Sequence, residues 1–290
     1  SLNEPTLSAD DLLFLQYTGG TTGLSKGAML SHGNIIANIL QYQEFGKNSI
    51  EHGKEVVITA IPMYHIFALT ANTLCYFFFG AKNILVTNPR DMPAFVDLWK
   101  TNKVTFFTGV NTLFNGLLHT SGFAEVDFST LKLTIGGGAA VQQAVALKWQ
   151  QVTGNPLLEG YGLSETSPIL TLNFGTDDGY VFGIGVPVPS TDISIRDESG
   201  HLVAQGESGE LCAKGPQIMT GYWHNLQATR ETMTEDGYFK TGDVALLDEN
   251  GFFHIVDRKK DMIIVSGFNV YPNEIESEVA HMPGILESAC

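Results

Sequence analysis

The chain has 290 residues, of which 43% are hydrophobic and 10% aromatic. That is enough apolar material for one large α/β unit or two to three modules, and it excludes global disorder. Lys and Arg number 16 against 31 Asp and Glu; the net charge of −15 excludes a fold-wide basic face for nucleic acid and leaves any anionic ligand to a few local cations, backbone N–H groups or a metal.

Short β-rich runs alternate with helical patterns through the first two thirds of the chain. Residues 12–17, 56–61, 83–86, 104–108, 131–135 and 157–161 are predicted as buried strands. Residues 31–45, 67–79, 92–102, 111–120 and 141–152 are predicted as helices, the first with Ile35, Ile36, Ile39 and Leu40 as one apolar stripe. Such alternation implies an α/β fold, a mostly parallel sheet with flanking helices, and ligands bind such sheets at loops leaving the carboxyl ends of strands. The stretch from Val56 to Ala81 lacks Asp, Glu, Lys and Arg, but Pro62, His65, Thr70, Asn72 and Thr73 interrupt it. It reads as strand, loop and helix rather than as the ~20 apolar residues of a membrane span.

Beyond Gly175 the strands shorten, to 192–196, 209–214, 243–247 and 252–256, with Asn250-Gly251 as a hairpin signal between the last two. Residues 185–256 are expected to form a small antiparallel β-barrel-like module. A strand at 262–265 and a Pro-started helix at 272–281 open a C-terminal α+β domain that the sequence leaves incomplete. The expected division is 1–184 for the α/β part, 185–256 for the β module and 257–290 for a hinge and the beginning of the C-terminal domain.

The loop Thr18-Gly19-Gly20-Thr21-Thr22-Gly23-Leu24-Ser25-Lys26 follows the first strand. Its glycines let backbone approach a ligand closely, its hydroxyls donate, and Lys26 adds a point charge, a combination suited to β/γ-phosphates. No Gly-Lys-[Ser/Thr] closes it, so it is not a Walker A loop; the bland alternative is a flexible surface turn.

This loop resembles the phosphate-binding signature of the acyl-adenylate-forming superfamily, which includes acyl-CoA synthetases, luciferases and peptide-synthetase adenylation domains. Ser25 stands where the family more often has Pro, which alters loop stiffness and removes no phosphate ligand. The resemblance continues in order through Gly136-Gly137-Gly138-Ala139-Ala140 (the loop against adenine), Gly160-Tyr161-Gly162-Leu163-Ser164-Glu165-Thr166 with Glu159 before it, the ribose motif ending at Asp243, and the hinge from Asp257. The stretch 236–260 is similar to the signature of fatty acyl-CoA synthetases, and the overall likeness is to bacterial long-chain-fatty-acid–CoA ligases.

The chemistry of each motif agrees with that resemblance. Missing side chains at Gly137, Gly138 and beside Ala139 open a slot for a flat base, with a plain tight turn as the alternative. Tyr161 offers an aromatic face to adenine, Glu165 a hard oxygen for Mg²⁺ (with Thr21 beside it), and Thr166 a hydroxyl for the α-phosphate. Asp243 can accept from both ribose hydroxyls and Arg258 adds a donor, while Lys259 reads as solvated charge. On the acyl side, His65 is either a gate or an ordinary core histidine. Val110, Leu113, Phe114 and Gly137 are candidate tunnel walls, with plain core packing as the alternative for the first three. No Asp lies in 62–69 to hold an ammonium group, which favours an uncharged acyl tail.

The resemblance implies ATP-dependent activation of a long-chain fatty acid to acyl-AMP, with Lys26, Glu165 and Thr166 in the catalytic step, and then transfer to CoA. The C-terminal part would turn at Asp257, beside Lys260, and Gly267 would leave room for pantetheine. ATP, Mg²⁺ and CoA are the expected cofactors and co-substrates. The competing readings are a non-catalytic nucleotide- or acyl-binding fragment and an amino-acid-activating relative. The family's C-terminal lysine has no host motif before Cys290, so a truncated, weakly active core is expected. Three scattered cysteines and no leader-like opening point to the cytoplasm; homodimerisation and peripheral contact with the inner face of the membrane are left open.

Overall fold

The computed structural model describes residues 6–18, 25–174, 182–259, 261, 263–265, 268–280, 282, 285, 288 and 290. Its elements run β1 (Leu12–Thr18), β2 (Lys26–Ser31), α1 (His32–Phe45), β3 (Val56–Thr59), a π-helix (Phe67–Leu74), α2 (Cys75–Phe78), β4 (Lys82–Leu85), α3 (Met92–Thr101), β5 (Phe106–Gly109), α4 (Asn111–Leu118), β6 (Leu133–Gly136), α5 (Gln143–Thr153) and β7 (Leu157–Gly162). A 3-10 turn (Ser164–Thr166) leads to β8 (Ile169–Leu172), β9 (Val186–Pro187), β10 (Asp192–Arg196), β11 (Gly209–Lys214), β12 (Gly221–Tyr222), α6 (Leu226–Glu231), β13 (Phe239–Leu247), β14 (Phe253–Arg258), β15 (Ile263–Val265), β16 (Phe268–Val270) and α7 (Pro272–Ala280).

Seven strands form one sheet in the order β4-β3-β5-β6-β7-β8-β9. The first five are parallel; β8 and β9 turn antiparallel. Successive side chains of the parallel strands feed opposite cores, as the period of two requires. Ile58 and Phe107 join Trp99, Phe114 and Trp149 beside α3, α4 and α5, whereas Val57 and Phe106 join Tyr76 and Phe79 beneath α2 and the π-helix. On the first side Phe107, Trp99 and Trp149 meet at centroid separations from 5.0 to 6.3 Å. Such aromatic pairs contribute ~0.5–1.5 kcal/mol each beyond their buried area.

The strand expected at 12–17 forms, but outside the parallel sheet. β1 pairs antiparallel with β2, Thr18 opposite Lys26, and β12 joins the other edge of β2. The phosphate-type loop therefore connects two strands of a hairpin. β2 is a strand the sequence pattern missed, because Lys-Gly-Ala-Met-Leu-Ser buries mostly small residues: Ala28 and Leu30 are fully buried and Ser31 caps α1.

The apolar stripe expected on α1 is also corrected. Ile36 and Leu40 are 52% and 49% exposed, while Asn34, Asn38 and Gln41 are buried beside Ile35 and Tyr42. The amides go inward because irregular backbone there needs partners. Asn34 donates to the carbonyls of Pro216 (2.8 Å) and Ile218 (2.9 Å), Asn38 bonds both backbone groups of Ile169, and Gln41 donates to Pro189 (2.8 Å).

The expected antiparallel module exists as a four-stranded sheet, β10-β11-β13-β14, with Gly251 at φ +85° in the predicted hairpin turn. Its order is open, with β10 and β14 as edges, and barrel-like closure is not found among the described residues. The stretch 56–81 folds as strand, loop, π-helix and short α-helix; no described helix is long and apolar enough to cross a membrane. Cys75 and Cys212 are buried free thiols, and Cys290 is exposed.

Candidate functional site

Because β3, β5, β6 and β7 are parallel, the loops leaving them lie along one edge of the sheet, where such folds bind ligands. Those loops carry His65, Val110, Gly137 to Ala140, and Glu165. The three-stranded sheet brings Lys26 to the loop after β7, and the four-stranded sheet brings Asp243 to β7 itself, each through a tyrosine.

The first of these is Tyr222 on β12. Its hydroxyl donates to Glu165 Oε1 at 2.6 Å, and the Lys26 ammonium stands 5.0 Å from the centre of its ring. Glu165 is buried, and its carbonyl accepts from the Met219 amide at 2.8 Å. Burial first, then the Glu165 charge, holds the Tyr222 phenol well above its ordinary pKa, so it stays protonated and donates the hydrogen bond. Neither composition nor spacing pointed to Tyr222; it follows Gly221 in a run with no motif of its own. Thr166 is fully buried: its hydroxyl accepts from the Leu163 amide at 2.9 Å and donates to the carbonyl of Leu163 or Pro168. In this conformation Thr166 braces the turn that presents Glu165.

The second tyrosine is Tyr161 on β7, which donates to Asp243 Oδ2 at 2.6 Å. Arg258, opposite Asp243 in the β13–β14 register, reaches Asp243 Oδ1 at 3.5 Å. A shallow depression lined by Thr241, Gly242, Asp243, Arg258 and Lys259 opens beside them. Lys259 pairs with Glu210 at 3.0 Å, a partly exposed contact worth little.

The glycine loop is built for close approach. A side chain at Gly137 would come within 3.1 Å of the Gly160 carbonyl and 3.2 Å of the Phe67 ring, and Gly138 adopts φ +78°. At Gly162 a Cβ would overlap the Pro168 carbonyl at 1.7 Å. Glu159 pairs with Gly136 across β6 and β7, and its Oε1 accepts the Val141 amide at 3.2 Å, closing the far end of the loop. Burial pushes its carboxyl up to about 7, partly opposed by that amide.

Next to this loop, Val110 lies beside Gly138 and Phe67 beside Gly137. His65 Nδ1 accepts from the Phe67 amide at 3.2 Å, and partial burial lowers its pKa. Leu113 and Phe114 belong to the aromatic core of α3 to α5. Gly19, Gly20, Thr21, Thr22, Gly23, Lys260 and Gly267 lie outside the described residues, while Thr18 and Lys26 flank the loop as cross-strand partners. The pivot expected at Asp257 falls inside β14, buried and opposite Val244.

Mg²⁺ is usually held by one or two carboxylates plus substrate phosphates. A single buried hard-oxygen donor, Glu165, on the Tyr222 hydroxyl, with Lys26 over the Tyr222 ring, fits that pattern. No group of three His, Cys, Asp or Glu able to hold a metal without phosphate help is found among the described residues.

Residues 1–223 match the family model described as AMP-binding enzyme. A long-chain-fatty-acid–CoA ligase of Salmonella typhimurium is 52% identical over 286 residues, covering 99% of this chain and 51% of the relative. The corresponding Haemophilus influenzae ligase is 51% identical over 280 residues, covering 95% and 49%. The chain thus spans about half the length of the curated relatives it matches. The crystal structure of ATP-bound MatB from Rhodopseudomonas palustris superposes with a TM-score of 0.88 at 35% identity, covering 98% of this chain and 55% of that one.

Proposed function

This chain belongs to the AMP-binding enzyme family, and we propose that it supplies the nucleotide- and carboxylate-handling core of an ATP-dependent long-chain-fatty-acid–CoA ligase. The observation that carries the reading is the meeting of three sheets at one edge: Glu165 on the hydroxyl of Tyr222 and Lys26 over its ring, and Asp243 tied to Tyr161 on the same strand-to-turn segment as Glu165.

In this reading the fatty carboxylate attacks the α-phosphorus of ATP, pyrophosphate leaves, and the CoA thiol then displaces AMP from the acyl group. Thr18, Gly19, Gly20, Thr21, Thr22, Gly23 and Lys26 would cradle the phosphates; Glu159, Gly160, Tyr161, Gly162 and the glycine loop would bound the adenine; Asp243 and Arg258 would hold the ribose. Mg²⁺ at Glu165, with Thr21 beside it, would supply charge neutralisation for the departing pyrophosphate. Thr166 would hold the turn of Glu165 and offer the α-phosphate a hydroxyl if that turn opens. His65, Val110 and Gly137 would line the acyl entrance, and the part beyond Asp257, with Lys260 and Gly267, would swing to admit CoA. Such a ligase works in the cytoplasm, where ATP and CoA are supplied.

The test is product analysis on the full-length protein with ATP, Mg²⁺, CoA and either hexadecanoate or an amino acid, read by mass spectrometry. Hexadecanoyl-CoA is expected, with acyl-AMP formation depressed at least about tenfold by Lys26→Ala, Glu165→Ala or Asp243→Ala, equivalent to ~1.4 kcal/mol of transition-state stabilisation. ATP binding with no thioester from any acid would leave only a binding module and overturn the proposal.

A further inference from the structure

We propose that Tyr222 is a positioning residue of this site: its phenol fixes the Glu165 carboxylate for Mg²⁺ while its ring seats the Lys26 ammonium that faces the phosphates. The inference rests on the metal role given to Glu165 above and deepens it.

Tyr222 is itself held from several sides. Its amide donates to Thr229 Oγ1 at 2.9 Å, it pairs with Ala28 of β2, and the next amide, of Trp223, donates to the Gly27 carbonyl at 2.8 Å. Upstream, the Met219 amide is bonded to the Glu165 carbonyl at 2.8 Å. Residues 219–223 are therefore stitched to the turn of Glu165 at one end and to the strand after the phosphate-type loop at the other. Gly221 runs at φ +147°, and a Cβ there would meet Thr229 at 2.8 Å, so the approach to Tyr222 tolerates little variation.

The choice of a phenol has a chemical consequence. A carboxylate has about four acceptor sites on its two oxygens, and one neutral donor at Oε1 anchors that oxygen without an opposing charge. A lysine or arginine in that place would neutralise Glu165 and compete with a divalent cation. The same ring offers Lys26 an attractive face at 5.0 Å, which steadies a flexible ammonium without neutralising it. Tyr222 thus links the carboxylate and the lysine without forming an ion pair with either.

The test is calorimetric ATP binding to full-length protein with Mg²⁺ and with EDTA, in wild type, Tyr222→Phe, Tyr222→Leu and Glu165→Gln, each checked for its folded circular-dichroism spectrum. Wild type should bind ATP more tightly with Mg²⁺. In Tyr222→Phe, which keeps the ring, affinity in EDTA should stay within about twofold, while half-saturating Mg²⁺ rises roughly tenfold. Tyr222→Leu should also weaken binding in EDTA several-fold through Lys26. A Mg²⁺ response that Glu165→Gln abolishes and Tyr222→Phe leaves intact would confine Tyr222 to packing and overturn the proposal. A response that Glu165→Gln leaves intact would instead remove the metal role of Glu165, and this inference with it.

Discussion

Tyr161 and Asp243 are joined by a 2.6 Å hydrogen bond that links β7 of the seven-stranded sheet to β13 of the four-stranded sheet. A bond to a charged acceptor contributes ~1.5–3 kcal/mol, so Tyr161→Phe should lower stability by that order in urea denaturation. The ring face survives in that variant. ATP affinity should therefore fall less than about threefold in Tyr161→Phe and more than about tenfold in Asp243→Ala, a step of ~1.4 kcal/mol. Equal losses in the two variants would mean that Asp243 serves the sheet junction and not the nucleotide.

Glu159 gives a pH dependence with a definite sign. Its folded pKa is raised from 4.5 to about 7, chiefly by burial, so the folded state binds more protons than the unfolded state between those values. Its contribution to stability is then greatest at the acid end of that window and declines as pH rises from about 4.5 to about 7, by a few kcal/mol in all. Glu159→Gln should remove this slope. The measurement is the difference between wild-type and variant unfolding free energies at pH 5, 6, 7 and 8; a flat difference would show that Glu159 is charged in the folded protein throughout.

What the sequence made legible, and what it hid, follows from the range of the interactions. The parallel strands and their helices were readable because each alternation or helical period is local. The space a Cβ would take is lined by the Gly160 carbonyl and the Phe67 ring at Gly137 and by Leu172 and Ile135 at Gly160, long-range neighbours that no local pattern records. The inward amides of α1 were not readable. Asn34 satisfies carbonyls of residues 216 and 218, almost two hundred positions away, and no period within the helix records such partners. The same holds for Tyr222, whose meaning depends on Glu165 across 57 positions. The hairpin of β1 and β2 escaped because β2 packs through Gly27 and Ala28, which carry no strand signature.

The ion pair of Glu55 and Lys132 joins the segments that enter β3 and β6. The Glu55 side chain is fully buried and lies 2.8 Å from the Lys132 ammonium, which also pairs with the exposed Glu51. Lys132 is partly exposed and Glu55 also accepts the Glu51 amide at 2.6 Å, so removing Lys132 should cost at most the ~3–5 kcal/mol of breaking a buried pair, whereas replacing both by apolar groups is often close to neutral. Lys132→Met should therefore destabilise in thermal or urea unfolding, and Glu55→Leu/Lys132→Met should recover most of the loss. Glu51→Ala should have little measurable effect, since exposed pairs contribute little. A double variant as unstable as Lys132→Met would show that the packing at Glu55, rather than its charge, governs the site.

Gly137 separates the acyl reading from plain packing. An added methyl there would sit 3.2 Å from the buried Phe67 ring and 3.1 Å from the Gly160 carbonyl, so the ring has to give by a few tenths of an ångström. If an acyl tail runs past Phe67, Gly137→Ala narrows its path. Each methylene buried in an apolar channel contributes ~0.8 kcal/mol, about a fourfold step in kcat/KM per methylene. The variant should therefore lose more activity with each added methylene: kcat/KM should fall more than about tenfold for hexadecanoate and less than about threefold for octanoate, with ATP affinity nearly unchanged. A loss equal at every chain length would assign Gly137 to the nucleotide loop alone and move the acyl path away from Phe67 and Val110.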